Sequence, residues 1–272
     1  MNKLSKILIY SILILTTIIV LFPFIWMLLT SFKSLEETQK IPPVIIPSQI
    51  LFSNYQEALT KAPFLMYFIN SIIITIISTI LVLIVNSLGA FAFTKYSFKG
   101  KEFMITILLA TMMVPSEMLI ITNFQTISMM QLADTRVAIF LPYISSVFYL
   151  ILMKQFFEQI PKELYLAAKV DGDSDWQYFR RILLPTAKPI LTTVAVLNVI
   201  GSWNSFLWPL LITNTETKRT LPIGLSYFTT EAGSQTQLLM AASTIVIIPL
   251  IVFFIITRKF VISGLMNGSV KG

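Results

Sequence analysis

Cysteine and histidine are absent from the 272 residues, and charge is scarce. Without them there is no disulfide, no thiolate nucleophile, no His-based triad, and most zinc sites are excluded. Asp, Glu, Lys and Arg together make up 12% of the chain, about half of what a soluble domain carries. In their place, 56% of residues are hydrophobic and mean hydropathy is +0.80. Such a chain dissolves in lipid, so an integral membrane protein is the reading and water-soluble classes drop out. The net charge of +7 reads as a topology signal rather than as a nucleic-acid footprint.

Six apolar stretches approach the roughly 20 residues needed to cross hydrocarbon. They are Ile7–Phe32, Phe64–Phe93, Phe103–Thr122, Val137–Phe157, Pro189–Thr213 and Gln237–Thr257. The expected fold is therefore all-α and integral to the membrane, a single transmembrane domain over residues 1–272. The first stretch follows Lys3 and Lys6 but is too long for a signal-peptide core and has no small-residue cleavage site, so it reads as an uncleaved helix. Six spans put both ends of the chain on one side. Fourteen of the twenty Lys and Arg fall on that side, which the positive-inside bias assigns to the cytoplasm.

The densest run of charge, "YLAAKVDGDSDWQYFRRILLP", lies between spans four and five, inside residues 158–188. Pro161 suits the start of a short helix. Leu164, Ala167 and Ala168 give that helix a small apolar face. Asp171-Gly172 signals a turn, with Gly172 ending the helix in a left-handed conformation. Ser174 and Gln177 form a capping-box pattern that opens a second helix. Its apolar face is Trp176, Phe179, Ile182 and Leu183, and Pro185 helps stop it. A helix–turn–helix at the membrane surface is expected. It either rests on headgroups or docks a cytoplasmic partner.

The same stretch resembles the EAA loop of ABC-importer permeases. Ala167, Ala168, Asp171, Gly172, Phe179, Leu184 and Pro185 match that pattern, whereas Leu166 replaces its first Glu and Asp173 its following Ala. "FPFIWMLLTSFKS", "LGAFAFTKYSFKGKE", "MMVPSEMLII", "SWNSFLWPLLIT", "TLPIGLSYF" and "GLMNGSVKG" extend the similarity, in order, across nearly the whole chain. They are similar to the carbohydrate-uptake branch, in its six-span maltose-permease second-subunit type.

The resemblance implies a non-catalytic permease in a bacterial plasma membrane, without a cofactor of its own. A second permease subunit, two ATPases that hold ATP and Mg, and an extracellular solute-binding protein would complete the importer. The EAA loop would be the coupling helix, with Glu163, Leu166, Ala167, Ala168, Asp171, Gly172, Phe179 and Pro185 as the ATPase-coupling set. Ala167, Ala168 and Gly172 would make the closest contacts. Either Glu163 or an apolar contact of Leu166 would replace the family's Glu. The tail from Gly268 to Gly272 would reach the ATPases or fray.

In lipid, polar side chains face the bundle interior. Asn198, Gly201, Ser202 and Ser205 form one stripe, and Ser71, Thr75, Ser78 and Asn86 another. A sugar offers hydroxyls and C–H faces. Asn198, Ser202, Trp203, Asn204, Ser205 and Trp208 are thus candidates for the substrate path, with helix packing as the alternative role. Glu117, beside Pro115, is the one acid within a span and a candidate for gating or structure. Residues 34–63 and 214–236 are outer surfaces for a binding protein, or plain connectors. A glycerophosphate or polyol importer is the alternative in the same architecture, and a membrane enzyme the alternative from another class.

Overall fold

The computed structural model describes residues 3–230 and 233–267. It is almost entirely helical. In chain order the helices are α1 (Lys3–Thr30), α2 (Leu35–Gln39), α3 (Ser53–Lys61), α4 (Phe64–Lys95), α5 (Lys101–Thr111), α6 (Ile120–Met129) and α7 (Arg136–Phe140). They continue as α8 (Val147–Glu158), α9 (Lys162–Val170), α10 (Asp175–Tyr178), α11 (Leu184–Thr186), α12 (Lys188–Asn204), α13 (Leu207–Ile212) and α14 (Thr236–Asn267). Two-residue strands β1 (Thr229–Thr230) and β2 (Gly233–Ser234) pair antiparallel. The sequence gives no sign of this short hairpin.

Among the described residues, three helices are long and apolar enough to cross a membrane unbroken: Ser5–Thr30 within α1, α4, and Thr236–Arg258 within α14. They coincide with spans one, two and six. At 32 residues, α4 rises about 48 Å, well beyond a hydrocarbon core of about 30 Å.

Spans three, four and five are not the straight helices that hydropathy implies. α5 stops at Thr111, and the segment from Ser116 to Met129 leaves at 89° to it. Arg136–Tyr143 and Val147–Glu158 meet at 51°. α12 ends at Asn204, Ser205 is extended (φ −64°, ψ 122°), and helix restarts as α13. Proline explains the positions. Its ring clashes with the carbonyl four residues earlier and it has no N–H to give. Pro115 acts on Thr111 and Pro209 on Ser205, the two residues at which α5 and α12 give way. Pro142 sits inside the 3₁₀ turn Leu141–Tyr143 that closes the first half of span four.

The chain divides into two compact units. Of the described residues, one unit runs through Met66 and takes in Leu221–Ile251; the other is Tyr67–Thr220 with residues 252–267. In the first, residues 31–55 fold back upon themselves. Ser34 and Glu37 cap α2 reciprocally, and the Glu37 carboxylate also accepts from the Ser48 N–H and hydroxyl (2.9 and 2.6 Å). The Asn54 amide donates to the carbonyls of Ser31 and Lys33. The segment expected as a connector or docking strip is therefore an ordered structure.

In the second unit one apolar core joins the spans to the loop between spans four and five. Val82, Ala90 and Phe91 of α4 pack with Met153 and Phe157 of α8, Ala168 of α9, Phe179 and Leu183 beyond it, and Val194 of α12. Gly89 permits the approach of α4 to α8: a Cβ there would fall 2.9 Å from Leu150 Cδ1. A second core holds Ile74, Ile127, Ile139, Trp208 and Ile212.

Candidate functional site

Two features of the second unit carry the chemistry, a cavity and a hairpin. The cavity holds about 710 Å³. Each of the three breaks contributes to its wall: Ser116 and Glu117 from span three, Tyr143, Ser145 and Ser146 from span four, Ser205 and Phe206 from span five. Non-helical backbone at membrane depth is tolerated where it is buried in protein or lines a cavity.

The backbone freed at the span-four break finds its partners on α4. Asn86 is fully buried and donates to the carbonyls of Val82 (2.7 Å) and Ile144 (3.1 Å), while its Oδ1 accepts from the Ser146 N–H (3.0 Å). Ser146 in turn caps α8 through the Tyr149 N–H.

The two polar stripes legible in spans two and five meet. Asn198 donates to Thr79 (2.9 Å) and Ser78 (3.3 Å), and the Ser202 hydroxyl lies 3.3 Å from Ser78 and 3.4 Å from Thr75. These groups knit α12 to α4 at the edge of the cavity. Trp208 is buried, and its indole N–H is shared between the carbonyls of Ala138 and Ile139, both at 3.1 Å. One face of the ring still reaches the cavity, where Tyr143 stands edge-on to it. Asn198, Ser202, Ser205 and Trp208 all line the space, as does Glu117. Trp203 and Asn204 do not: Trp203 is buried edge-on against Phe68, and Asn204 is exposed away from the cavity wall.

The hairpin follows its sequence signals closely. Gly172 adopts φ +83°, its N–H bonds the Lys169 carbonyl, and the Asp173 N–H bonds the Ala168 carbonyl at 2.8 Å. That is a complete Schellman cap. Ser174 and Gln177 form the capping box in both directions. The second helix is not regular, because Phe179–Leu183 forms a π turn in which the Leu184 N–H reaches back five residues to Phe179. Pro185 would clash with the Arg181 carbonyl in an α-helix, and the wider turn relieves it.

The faces differ from the expected ones. Leu164, Ala167 and Ala168 do not form one contact surface. Ala168 is 2% exposed and turned into the chain's own core beside Tyr165, because the buried edge of α9 runs through positions i and i+3 at 165 and 168. Phe179 is likewise buried, and Trp176 is 59% exposed instead of inward. The outward surface consists of Leu164, Leu166, Ala167, Val170 and Trp176, with Glu163, Asp171, Gly172 and Pro185 also exposed. Leu166 is 60% and Val170 87% exposed. Leu166 also edges a second cavity, of about 680 Å³, between α4, α8 and the hairpin. Gly268–Gly272 lies outside the described residues.

One organising residue carries no sequence motif of its own. The Asp175 carboxylate accepts from the hydroxyls of Tyr96 (2.8 Å) and Tyr165 (2.9 Å) and pairs with Lys169 (2.7 Å). It binds both helices of the hairpin to the end of span two. The Lys169 ammonium, followed by the two tyrosine hydroxyls, holds its carboxyl at about 2. A depressed folded pKa contributes stability above the ordinary carboxylate value of about 3.9, and loses it as pH falls through 2. Hydrogen-exchange protection of residues 162–183 is expected to hold from pH 7 to 5 and to decline between 4 and 2. Asp175→Asn should show the reduced protection already at pH 7; full protection in that variant would contradict the role.

The comparisons agree with this architecture. Residues 86–265 match the family described as binding-protein-dependent transport system inner membrane component. The chain is 34% identical over 257 residues to the arabinooligosaccharides transport system permease protein AraQ of Halalkalibacterium halodurans, covering 93% of this chain and 92% of that one. It is 33% identical over 256 residues to the trehalose transport system permease protein SugB of Mycobacterium tuberculosis, covering 93% of each. Its fold resembles a chain of a bacterial ABC transporter involved in the import of the acidic polysaccharide alginate, with a TM-score of 0.83, 26% identity, and 94% and 96% of the two chains covered. A membrane chain with broken spans around a cavity, matched along most of its length, belongs to the family of binding-protein-dependent transport system inner membrane components, the permeases of ABC importers.

Proposed function

We propose that this chain is one permease subunit of an ATP-driven importer of a sugar or oligosaccharide. The observation that carries this reading is the convergence of three interrupted spans on one cavity. Spans three and four, each counted as one bent pair, and span five, counted as α12 with its continuation α13, join α1, α4 and α14 to make six, both ends being cytoplasmic. The solute arrives on an extracellular solute-binding protein and passes through this cavity together with a second permease subunit. Two ATPase chains hold ATP and Mg; this chain binds neither and catalyses nothing.

ATP-driven closure of the ATPases moves the hairpin at 158–188. The hairpin is packed into the core of its own unit through Ala168, Phe179 and Leu183, so it moves with the cytoplasmic ends of the spans and carries the cavity between inward and outward access. The coupling contact is the exposed strip around Leu166, Ala167 and Val170. An apolar contact at Leu166 then stands in for the family's Glu. Relatives named for arabinooligosaccharide and trehalose transport support a saccharide as solute. A glycerophosphate fits less well, because no Lys or Arg lines the cavity.

The test is reconstitution. The permease pair, the ATPases and the binding protein in proteoliposomes should accumulate labelled saccharide only with internal ATP and Mg. Accumulation that is indifferent to ATP, or confined to phosphorylated solutes, would overturn the reading.

A further inference from the structure

Glu117 is the only charged side chain among the residues lining the cavity. It stands just past Pro115 in the 3₁₀ turn Ser116–Leu119, at the break of span three. Its carboxylate accepts no hydrogen bond and joins no ion pair among the described residues. Three polar groups of the same wall are committed elsewhere: Asn198 and Ser202 to α4, Ser146 to the cap of α8. Glu117 is exposed to the open cavity, so both carboxylate oxygens are available to accept from the donors of a solute that enters it.

The surroundings define those donors. Tyr143, Phe140, Phe148 and Trp208 present aromatic surface to the same space. An aromatic wall takes the C–H face of a sugar ring. An ionised carboxylate can only accept, and its two oxygens match two hydroxyl donors on neighbouring carbons. We propose that Glu117 contacts the solute and sets its charge class: it accepts hydrogen bonds from the hydroxyls of an uncharged saccharide, and it repels uronate saccharides. This deepens the sugar-importer reading and rests on it.

The experiment uses the purified complex of both permeases and the ATPases, without binding protein, and follows tryptophan fluorescence, since Trp208 borders the cavity. Arabinotriose, trehalose and diacetylchitobiose serve as uncharged probes and trigalacturonate as the acidic one. The wild type should bind at least one uncharged probe and not trigalacturonate. Glu117→Gln, nearly isosteric, should weaken the uncharged probe about tenfold, as loss of charge-assisted hydrogen bonds does, and should admit trigalacturonate. Glu117→Asp keeps the charge and should keep the rejection. If Glu117→Gln leaves affinity and rejection unchanged, the inference fails while the sugar reading stands. If that variant separates the two permeases without altering selectivity, the carboxylate belongs to their interface and the inference fails. If the wild type binds no saccharide at all, the sugar reading itself fails and takes the inference with it.

Discussion

Val170→Asp is expected to leave the permease folded and membrane-inserted while reducing ATP-driven uptake at least tenfold. The side chain is 87% exposed and close to the end of α9, so nothing inside the chain depends on it. Its surroundings on the outward strip are Leu166 and Ala167, and an apolar strip of this kind transmits force when it is packed without gaps against a partner. An aspartate placed there is desolvated without a cation if an ATPase covers it, and interfacial carboxylates of that kind cost about 2–5 kcal/mol. Uptake and solute-stimulated ATPase activity in proteoliposomes read the effect. Wild-type uptake would show that the strip faces water or headgroups. Gly172→Leu is a poorer probe, because at φ +83° any Cβ strains the Schellman turn before a partner is involved.

Asn86→Leu is expected to damage the fold itself. One amide satisfies three backbone groups, two of them at the break in span four. Leucine removes those partners and leaves the Ile144 carbonyl and Ser146 N–H unpaired in a partly buried place. Each such group costs about 1–3 kcal/mol, and the apolar side chain returns none of it. A loss of about 2–5 kcal/mol is expected, seen as a lower thermal unfolding temperature in detergent and a reduced yield in the membrane. Asn86→Asp, which keeps one acceptor, should lie between. An unchanged melting curve for Asn86→Leu would mean that the broken span holds itself together.

The hairpin was legible because its determinants are local. Asp171-Gly172 and the Ser174/Gln177 pair dictate backbone geometry within a few residues, and the structure obeys both. The unbroken spans were legible as well, since lipid allows one solution for a long apolar run. The breaks were not, although Pro115 and Pro209 mark them. A window of hydropathy averages over a proline, and whether the chain turns there depends on what satisfies the freed backbone. At span four that partner, Asn86, is 58 residues from Ile144 in sequence. The same limit hid Asp175. Beside Ser174 it reads as an ordinary first-turn acid, and its tie to Tyr96 spans 79 residues. Ala168 was misplaced for the opposite reason: small size on a helix face does not say which side the rest of the chain will cover.

Because the chain has no cysteine, the docking of the hairpin on an ATPase is directly measurable. In Val170→Cys the only thiol lies on the outward strip of the hairpin, and its labelling by a membrane-impermeant maleimide in inside-out vesicles can be followed with and without the ATPase chains. A docked hairpin gives rapid labelling of the permease pair alone and strong protection once the ATPases are bound. Equal labelling rates in the two states would contradict it.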